Sequence, residues 1–249
     1  MHSPGDLTGG ARRDGPARLR LGIPVYADPD VHPEIWAGIA RAPAGSLVII
    51  NPDSGAGAGR DARYRARVEA AHALGHVVYG YVDTAYGERP LAAAAAEIVR
   101  HHSWFGVDGV FFDQVPGTAD GLAHYAQLTA IARARGLLVA FNMGQANVDP
   151  RFAELADVIA VFEGPAPAHA ETRFPDWMYE DSRRARLWHL VFDAPDEHAL
   201  RTALERAAAG PCEVVFITDG TAPNPWYRLP AYWDREVALV GALRPTGAR

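Results

Sequence analysis

Eight short apolar runs recur along the chain, and longer segments of helical character separate them. Each run is rich in Val, Ile, Leu, Phe or Tyr and is too short to form a helix. Nearly continuous apolar runs of this length are typical of strands that are buried on both faces of a parallel sheet. The pattern predicts eight strands: Leu21–Tyr26, Leu47–Ile50, Val77–Val82, Gly109–Asp113, Leu137–Asn142, Val158–Glu163, Leu187–Phe192 and Glu213–Thr218.

The segments between the strands are amphipathic or rich in alanine. Gly75, Gly136 and Gly210 follow three of them, as glycine commonly follows the C-terminus of a helix. The predicted helices are Arg60–Leu74, Pro90–His102, Asp120–Arg135, Ala194–Ala209 and Pro230–Leu243, with shorter ones at 32–41 and 149–156.

Strict alternation of strands and helices predicts a parallel sheet with right-handed crossovers. Eight units favour a closed (β/α)8 barrel of the TIM type, and an open doubly wound sheet is the alternative. The 249 residues suit one such barrel. We expect a single barrel domain over residues 21–245, preceded by a disordered tail over residues 1–20.

Charge and composition narrow the classes of function. The formal net charge is −6 and no run of basic residues stands out, so nucleic acid and an anionic membrane are poor candidates for partners. The chain contains no lysine, which excludes Schiff-base aldolases, pyridoxal-phosphate enzymes and P-loop proteins. We expect no cofactor.

The single cysteine, Cys212, is expected to be buried, and it offers no intrachain disulfide. No apolar stretch suits a signal peptide or a membrane span. The sequence as written therefore predicts a cytoplasmic protein, or a secreted one if a leader has been removed. The oligomeric state stays open.

Candidate chemistry lies where the strands end, because reactive groups of such barrels sit at the C-terminal ends of the strands. Asp113 follows the apolar pair Phe111-Phe112, and Glu163 follows Val161-Phe162. We expect the two carboxylates to face each other across the barrel mouth. Most glycosidases need two carboxylates beside the groove that binds the substrate. The alternative is that Asp113 and Glu163 have only a structural role.

Other polar and aromatic residues near strand ends are candidates for binding a sugar. Aromatic side chains offer a surface on which a sugar ring can stack, although about half of such residues simply pack in the core. The aromatic residues on or near predicted strand ends or the following loops are Tyr26, Tyr81, Tyr86, Trp104, Trp226, Tyr227 and Trp233. His189 lies within the seventh strand, where it either points into the barrel mouth or packs in the core. The predicted groove residues are Tyr26, Asn51, Tyr81, Asp83, Gln114, Asn142, His189 and Asp219.

Several weaker signals carry little weight. Residues 55–60 resemble a dinucleotide-binding loop, but Arg60 stands where the pattern requires glycine. The histidines show no metal-binding spacing, so no metal is expected. His101 and His102 are expected to be solvated at the end of a helix.

The same strand-end segments resemble the spherulin 4-like family, which is related to glycoside hydrolases that cut polymers of α-1,4-linked galactosamine and N-acetylgalactosamine. The resemblance extends from about Gly22 to Val240. The segments that carry it are 23–26, 50–55, 80–87, 109–113, 141–144, 162–163, 218–220, 224–227 and 229–233.

This resemblance implies a (β/α)8 barrel with a groove for an amino-sugar polymer. It also implies that Asp113 is the nucleophile and Glu163 the general acid/base. Family members usually carry an Asp-Glu pair at the fourth strand, whereas this chain carries Asp113-Gln114. A neutral amide can hydrogen-bond a sugar but cannot donate a proton as an acid.

Three functions therefore follow from the sequence. The first is a glycosidase that acts, with retention, on a polysaccharide containing galactosamine or N-acetylgalactosamine. The second is a carbohydrate-binding barrel with reduced or lost catalysis, marked by Gln114. The third is an unrelated barrel enzyme such as a phosphate-sugar isomerase, for which residues 219–221 offer only a faint phosphate cradle.

Overall fold

The computed structural model of the chain describes residues 19–243. Eight parallel strands follow one another in chain order and close into a barrel, in which β8 pairs with β1. The predicted closed barrel is thus confirmed, and each strand lies within two residues of its predicted bounds. The strands are β1 Arg20–Val25, β2 Leu47–Ile50, β3 Val77–Asp83, β4 Gly109–Asp113, β5 Leu138–Asn142, β6 Val158–Pro165, β7 Arg186–Phe192 and β8 Val214–Ile217.

One helix follows each strand. The seven predicted helices are present, and α6 was absent from the prediction because its segment carries prolines, which the first turn of a helix tolerates. The helices are α1 Pro33–Ile39, α2 Ala62–Ala73, α3 Leu91–Arg100, α4 Leu122–Arg133, α5 Phe152–Leu155, α6 Ala166–Glu171, α7 Glu197–Ala209 and α8 Trp233–Ala242.

Large aromatic side chains fill the barrel interior. The rings of Trp188 on β7 and Phe111 on β4 lie 5.6 Å apart at an angle of 65°. Gly22 on β1 faces the same space, because a Cβ at this position would overlap the indole of Trp188. The interior is a packed core rather than a channel, so a ligand can enter only at the ends of the strands.

Three carboxylates pin the N-terminal ends of the strands. Each immediately precedes an even-numbered strand and accepts a hydrogen bond from a backbone N–H near the start of the strand before it. Because these bonds fix the stagger of neighbouring strands, they also fix which residues reach the opposite, C-terminal end. The pairs are Asp108 with Val78, Asp157 with Val139, and Glu213 with Leu187, at 2.8, 2.9 and 3.0 Å.

The predicted N-terminal tail lies almost wholly outside the described residues. Of residues 1–20 only Leu19 and Arg20 are described, and Arg20 already begins β1. Cys212 is buried, as predicted. Across residues 19–243 no helix has the length and apolar character that a membrane span requires.

Candidate active site

The two predicted catalytic carboxylates lie on the inner face of the barrel at its C-terminal end. Asp113 is the last residue of β4 and follows Phe111 by two positions, so both side chains lie on the inner face. A cavity of about 450 Å³ opens at this point. Its lining residues are Tyr86, Asp113, Gln114, Val115, Asn142, Met143, Gly144, Glu163 and Phe192.

Asn142, the last residue of β5, joins the two carboxylates. Its amide Nδ2 donates to Asp113 Oδ1 at 2.7 Å and to Glu163 Oε2 at 2.6 Å. The carboxylates therefore lie side by side on either side of β5, and the expectation that they face each other across the barrel mouth was wrong. The reason is that a single strand separates β4 from β6.

Asp113 is held at both of its carboxylate oxygens. Oδ2 accepts a hydrogen bond from the Tyr81 hydroxyl at 2.7 Å, while Oδ1 accepts the bond from Asn142. The ring of Tyr26 meets that of Tyr81 edge to face, with the centroids 5.6 Å apart. Burial and the charge of Asp113 raise the pKa of Tyr81 and of Tyr26, so both hydroxyls remain protonated donors.

A β-bulge in β6 places Glu163 on the inner face. Ala160 pairs with Trp188, but Phe162, not Val161, pairs with His189, so Val161 is an extra residue. Since side chains of a strand alternate between faces, one extra residue moves every later side chain to the other face. The bulge therefore turns Phe162 outward and Glu163 toward Asp113.

Glu163 has the environment of a general acid. Burial, together with the negative charge of Asp113, raises the pKa of the Glu163 carboxyl above its usual range, and the bonds from Asn142 and Trp226 oppose this rise. The indole Nε1 of Trp226 donates to Glu163 Oε1 at 3.2 Å. Both oxygens of Glu163 are thus oriented, as those of Asp113 are.

Thr84, which directly follows β3, holds the end of β4 through hydrogen bonds. The Thr84 hydroxyl is fully buried and donates to the Asp113 carbonyl at 2.7 Å, and it also lies 2.7 Å from the Tyr125 hydroxyl on α4. The Thr84 backbone N–H donates to the same Asp113 carbonyl at 3.2 Å. These bonds fix the backbone that carries Asp113.

Three of the predicted groove residues form hydrogen bonds within the loops that follow their strands. Asn51 Oδ1 accepts from the Gly55 backbone N–H, and Asp83 Oδ1 accepts from the Ala85 N–H, each at 2.8 Å. Asp219 accepts from the guanidinium of Arg228 at 2.7 Å, in an ion pair within the loop after β8. These carboxylate and amide groups shape the rim, and the cavity lining does not include them.

Gln114 lines the cavity directly beside Asp113. Its backbone adopts a left-handed conformation with φ of 57°, which is uncommon for a residue other than glycine. The site therefore contains two ionisable carboxylates, Asp113 and Glu163, and a neutral amide at the third position.

His189 does not belong to the groove. It is fully buried, its Nδ1 lies 3.0 Å from His169 Nε2, and its ring stacks on Phe174. Its place follows from alternation along β7, because the preceding residue, Trp188, occupies the barrel interior. His189 is a core histidine between β7 and α6.

The expectation that His101 is solvated was also wrong. Residues 101–105 continue α3 as a turn of π-helix, and His101 is fully buried there. Its Nε2 donates to the Tyr81 carbonyl at 2.7 Å. Gly80 makes room for the ring, since a Cβ at this position would overlap it.

Thr84 was not predicted as a site residue, and Trp226 was predicted only as one of several aromatic residues that could stack on a sugar. Each belongs to a segment that carries the family resemblance, but residue type alone does not predict the bond from Trp226 to Glu163 or that from Thr84 to the Asp113 carbonyl. Trp226 reaches Glu163 from a loop 63 residues further along the chain. Only the closed barrel brings these segments together.

Comparison with solved structures shows that the chain shares its barrel fold with proteins of known structure. Aspergillus clavatus Sph3, solved in complex with GalNAc, has a TM-score of 0.75 at 22% sequence identity, covering 90% of this chain and 98% of that one. An endo-beta-N-acetylglucosaminidase from Cordyceps militaris has a TM-score of 0.54 at 13% identity, covering 93% and 92%. At these identities the likeness establishes the shared barrel.

Sequence comparison identifies the family as well as the fold. Spherulin-4 of Physarum polycephalum is 25% identical over 242 residues, which cover 90% of this chain and 71% of that protein. The family model described as spherulation-specific family 4 matches residues 20–240, which is nearly the whole described barrel. The chain therefore belongs to spherulation-specific family 4.

Proposed function

We propose that this protein is a glycoside hydrolase that cleaves a polysaccharide containing galactosamine or N-acetylgalactosamine with retention of configuration. Asp113 is the nucleophile and Glu163 the general acid/base. The observation that carries this proposal is the single amide of Asn142 bonded to both carboxylates. It holds an acid and a nucleophile at a fixed separation beside an open cavity.

The separation of the carboxylates supports retention. Because both oxygens bond to one nitrogen, at 2.7 and 2.6 Å, their distance cannot exceed the sum of these lengths. That limit agrees with the spacing of about 5–5.5 Å between carboxyl groups in retaining glycosidases, whereas inverting enzymes need roughly 6.5–9.5 Å to admit a water molecule.

The protonation of Glu163 supports its role. The raised pKa of Glu163 keeps its proton available for the glycosidic oxygen. As that proton is transferred, an Asp113 oxygen attacks the anomeric carbon and the bond to the leaving oxygen breaks. Glu163 then removes a proton from water, whose oxygen attacks the anomeric carbon and releases Asp113.

The amino-sugar substrate is supported by the family and by the cavity. Sph3, a barrel of the same fold, was solved with GalNAc bound. The described residues that line the cavity include two carboxylates and no arginine, which suits a neutral or cationic sugar.

The second candidate function is a carbohydrate-binding barrel with reduced or lost catalysis. The observation that favours it is Gln114, which lines the cavity where the family usually has glutamate. The two candidates differ in one variant. If the protein is a binding barrel that lacks an essential glutamate at position 114, Gln114→Glu should create cleavage that the wild type lacks. If the protein is a hydrolase, the same variant should only change a rate that the wild type already has.

The test is incubation of the purified protein with a galactosamine/N-acetylgalactosamine polymer, followed by mass spectrometry of released oligosaccharides. We expect the wild type to release them and Asp113→Asn and Glu163→Gln to release none while remaining folded. Asp181→Asn, an exposed carboxylate in the loop before β7, is the matched control and retains release. Equal release by Asp113→Asn would exclude the proposed mechanism.

A further inference from the structure

Tyr86 is an exposed aromatic residue in the lining of the active-site cavity. It lies in the loop of residues 84–89 that follows β3, which we call the β3 loop, and lines the same cavity as Asp113 and Glu163. Its side chain is 64% exposed, whereas Phe192, the aromatic residue contributed by β7, is half-buried. The ring is therefore open to a ligand lying in the cavity.

The backbone under this ring is strained. Ala85, Tyr86 and Gly87 have φ values of 46°, 54° and 89°, so three consecutive residues lie in the left-handed region. Two of them are not glycine, and such residues adopt this region only where surrounding structure holds them there. An exposed ring gains little from burial, so its packing does not account for the strain.

The β3 loop is tied rigidly to the catalytic strand. Asp83 holds it on both sides, because its carboxylate accepts from the Ala85 N–H and its carbonyl accepts from the Arg89 guanidinium, each at 2.8 Å. Arg89 also forms an ion pair with Glu97 on α3. Thr84, at the start of the loop, bonds to the Asp113 carbonyl. The backbone that carries Tyr86 is thus fixed relative to the nucleophile.

We propose that Tyr86 is the stacking platform for a sugar unit adjacent to the one whose bond is cleaved. This inference rests on the proposed function and names a binding subsite for the same polymer. A flat, exposed ring suits the apolar face of a pyranose, and its attachment three residues beyond Asp83, the partner of Asp113 in the sheet, places it beside the nucleophile rather than over it. Tyr86 therefore binds chains longer than one sugar.

The test measures binding in the Asp113→Asn background, which removes cleavage. Calorimetric titration with galactosamine/N-acetylgalactosamine oligosaccharides of one to six units is compared for that parent and for versions carrying Tyr86→Ala, Tyr86→Phe or Tyr86→Gly. Tyr179→Ala is the matched control, because Tyr179 is another exposed tyrosine and lies in the connection that leads into the N-terminal end of β7.

We expect Tyr86→Ala and Tyr86→Gly to weaken the binding of the longer oligosaccharides by roughly three- to tenfold, the range for one aromatic contact. Binding of the monosaccharide, and all binding by Tyr86→Phe and Tyr179→Ala, should be unchanged. Glycine adopts the left-handed region freely, so Tyr86→Gly should also keep the melting temperature of its parent. Lost binding in that variant therefore cannot come from unfolding.

Two results would overturn the proposal. If the parent binds the longer oligosaccharides and Tyr86→Ala binds them equally well, the ring is not a platform, while the proposed hydrolase survives. If the parent binds no saccharide of the series, both the subsite and the proposed substrate are wrong.

Discussion

Phe162 on β6 pairs with His189 on β7, one position later than an uninterrupted register from Ala160 would give. The outward ring of Phe162 lies 4.8 Å from that of His169 and 6.2 Å from that of His189, measured between centroids. The same bulge turns Phe162 outward and Glu163 inward. Glu163, the proposed general acid, is thus positioned by packing on the opposite face of its own strand.

Phe162→Leu tests this relationship. Leucine is smaller than phenylalanine and loosens the contact with the two histidines. The protein therefore loses stability, and Glu163 loses its fixed position. We expect the free energy of unfolding to fall by about 1–3 kcal/mol and kcat to fall by roughly tenfold or more. Phe152→Leu on α5 is the control, because Phe152 is also buried but its ring packs on Tyr125 and Phe141 and not on the two histidines. A similar loss of stability with unchanged kcat in both variants would remove the positioning role of Phe162.

The eight strands and the positions of Asp113 and Glu163 near strand ends were predictable from the sequence. The apolar runs specify strands buried on both faces, and polar residues interrupt them where the strands end. The bulge was not predictable, because Val161 is as apolar as its neighbours and nothing in the composition marks it as the extra residue. Alternation from Ala160 alone would have turned Glu163 outward.

Contacts between side chains from distant segments of the chain also could not be predicted from the sequence. Asn142 and Tyr81 were predicted to line the groove, and the structure makes them direct partners of the carboxylates. Asn51, Asp83 and Asp219 have the same residue types at equivalent strand ends, yet they bond to loop backbone or to Arg228. Residue type and strand position do not distinguish these two outcomes, because the partners of Asn142 and Tyr81 come from other units of the barrel.

Asn142→Ala should slow the proposed hydrolysis without unfolding the protein. The change removes the donor shared by Asp113 and Glu163, so each carboxylate loses an orienting bond. We expect kcat to fall on the order of a hundredfold. Gln145→Ala, which alters an exposed amide three residues further on, should leave kcat unchanged. Steady-state kinetics on a soluble oligosaccharide separates the effect on kcat from that on KM, and a wild-type kcat in Asn142→Ala would contradict the assigned role.

Trp226→Phe should shift the pH dependence of hydrolysis. The indole N–H bonds to the Glu163 carboxylate and so lowers the Glu163 pKa, while burial and Asp113 raise it. Loss of the bond raises the pKa further, and the basic limb of the kcat/KM profile should move upward by roughly half to one pH unit. The half-buried Trp104, outside the site, provides the control Trp104→Phe. A basic limb that stays in place or moves to lower pH would show that Trp226 does not act on this proton.

Buried histidines should make the fold sensitive to mild acid. Burial lowers the pKa of His101 and of His169 to about 4, from the ordinary value of 6.5. The unfolded chain therefore binds protons that the folded protein excludes, and the stability these groups contribute is lost as the pH falls from 6.5 toward about 4. Glu163 and Glu236 oppose this trend, because burial raises their pKa values.

The contribution of one histidine is isolated by comparing variants. Urea unfolding of His169→Gln between pH 7 and pH 5 should show a shallower loss of stability than the wild type, by up to roughly 1.4 kcal/mol per pH unit. His198→Gln, which alters an exposed histidine on α7, should keep the slope of the wild type. Parallel curves for His169→Gln and the wild type would mean that His169 does not titrate with folding.

The central claim is that Asp113 and Glu163, held by Asn142, cleave glycosidic bonds through a nucleophilic step. Proton NMR of the first reducing ends released from a galactosamine/N-acetylgalactosamine oligosaccharide tests it most directly. We predict that these ends appear first in the anomeric configuration of the cleaved bond and that Asp113→Asn releases none. First appearance of the opposite anomer, or release by Asp113→Asn at the wild-type rate, would contradict it.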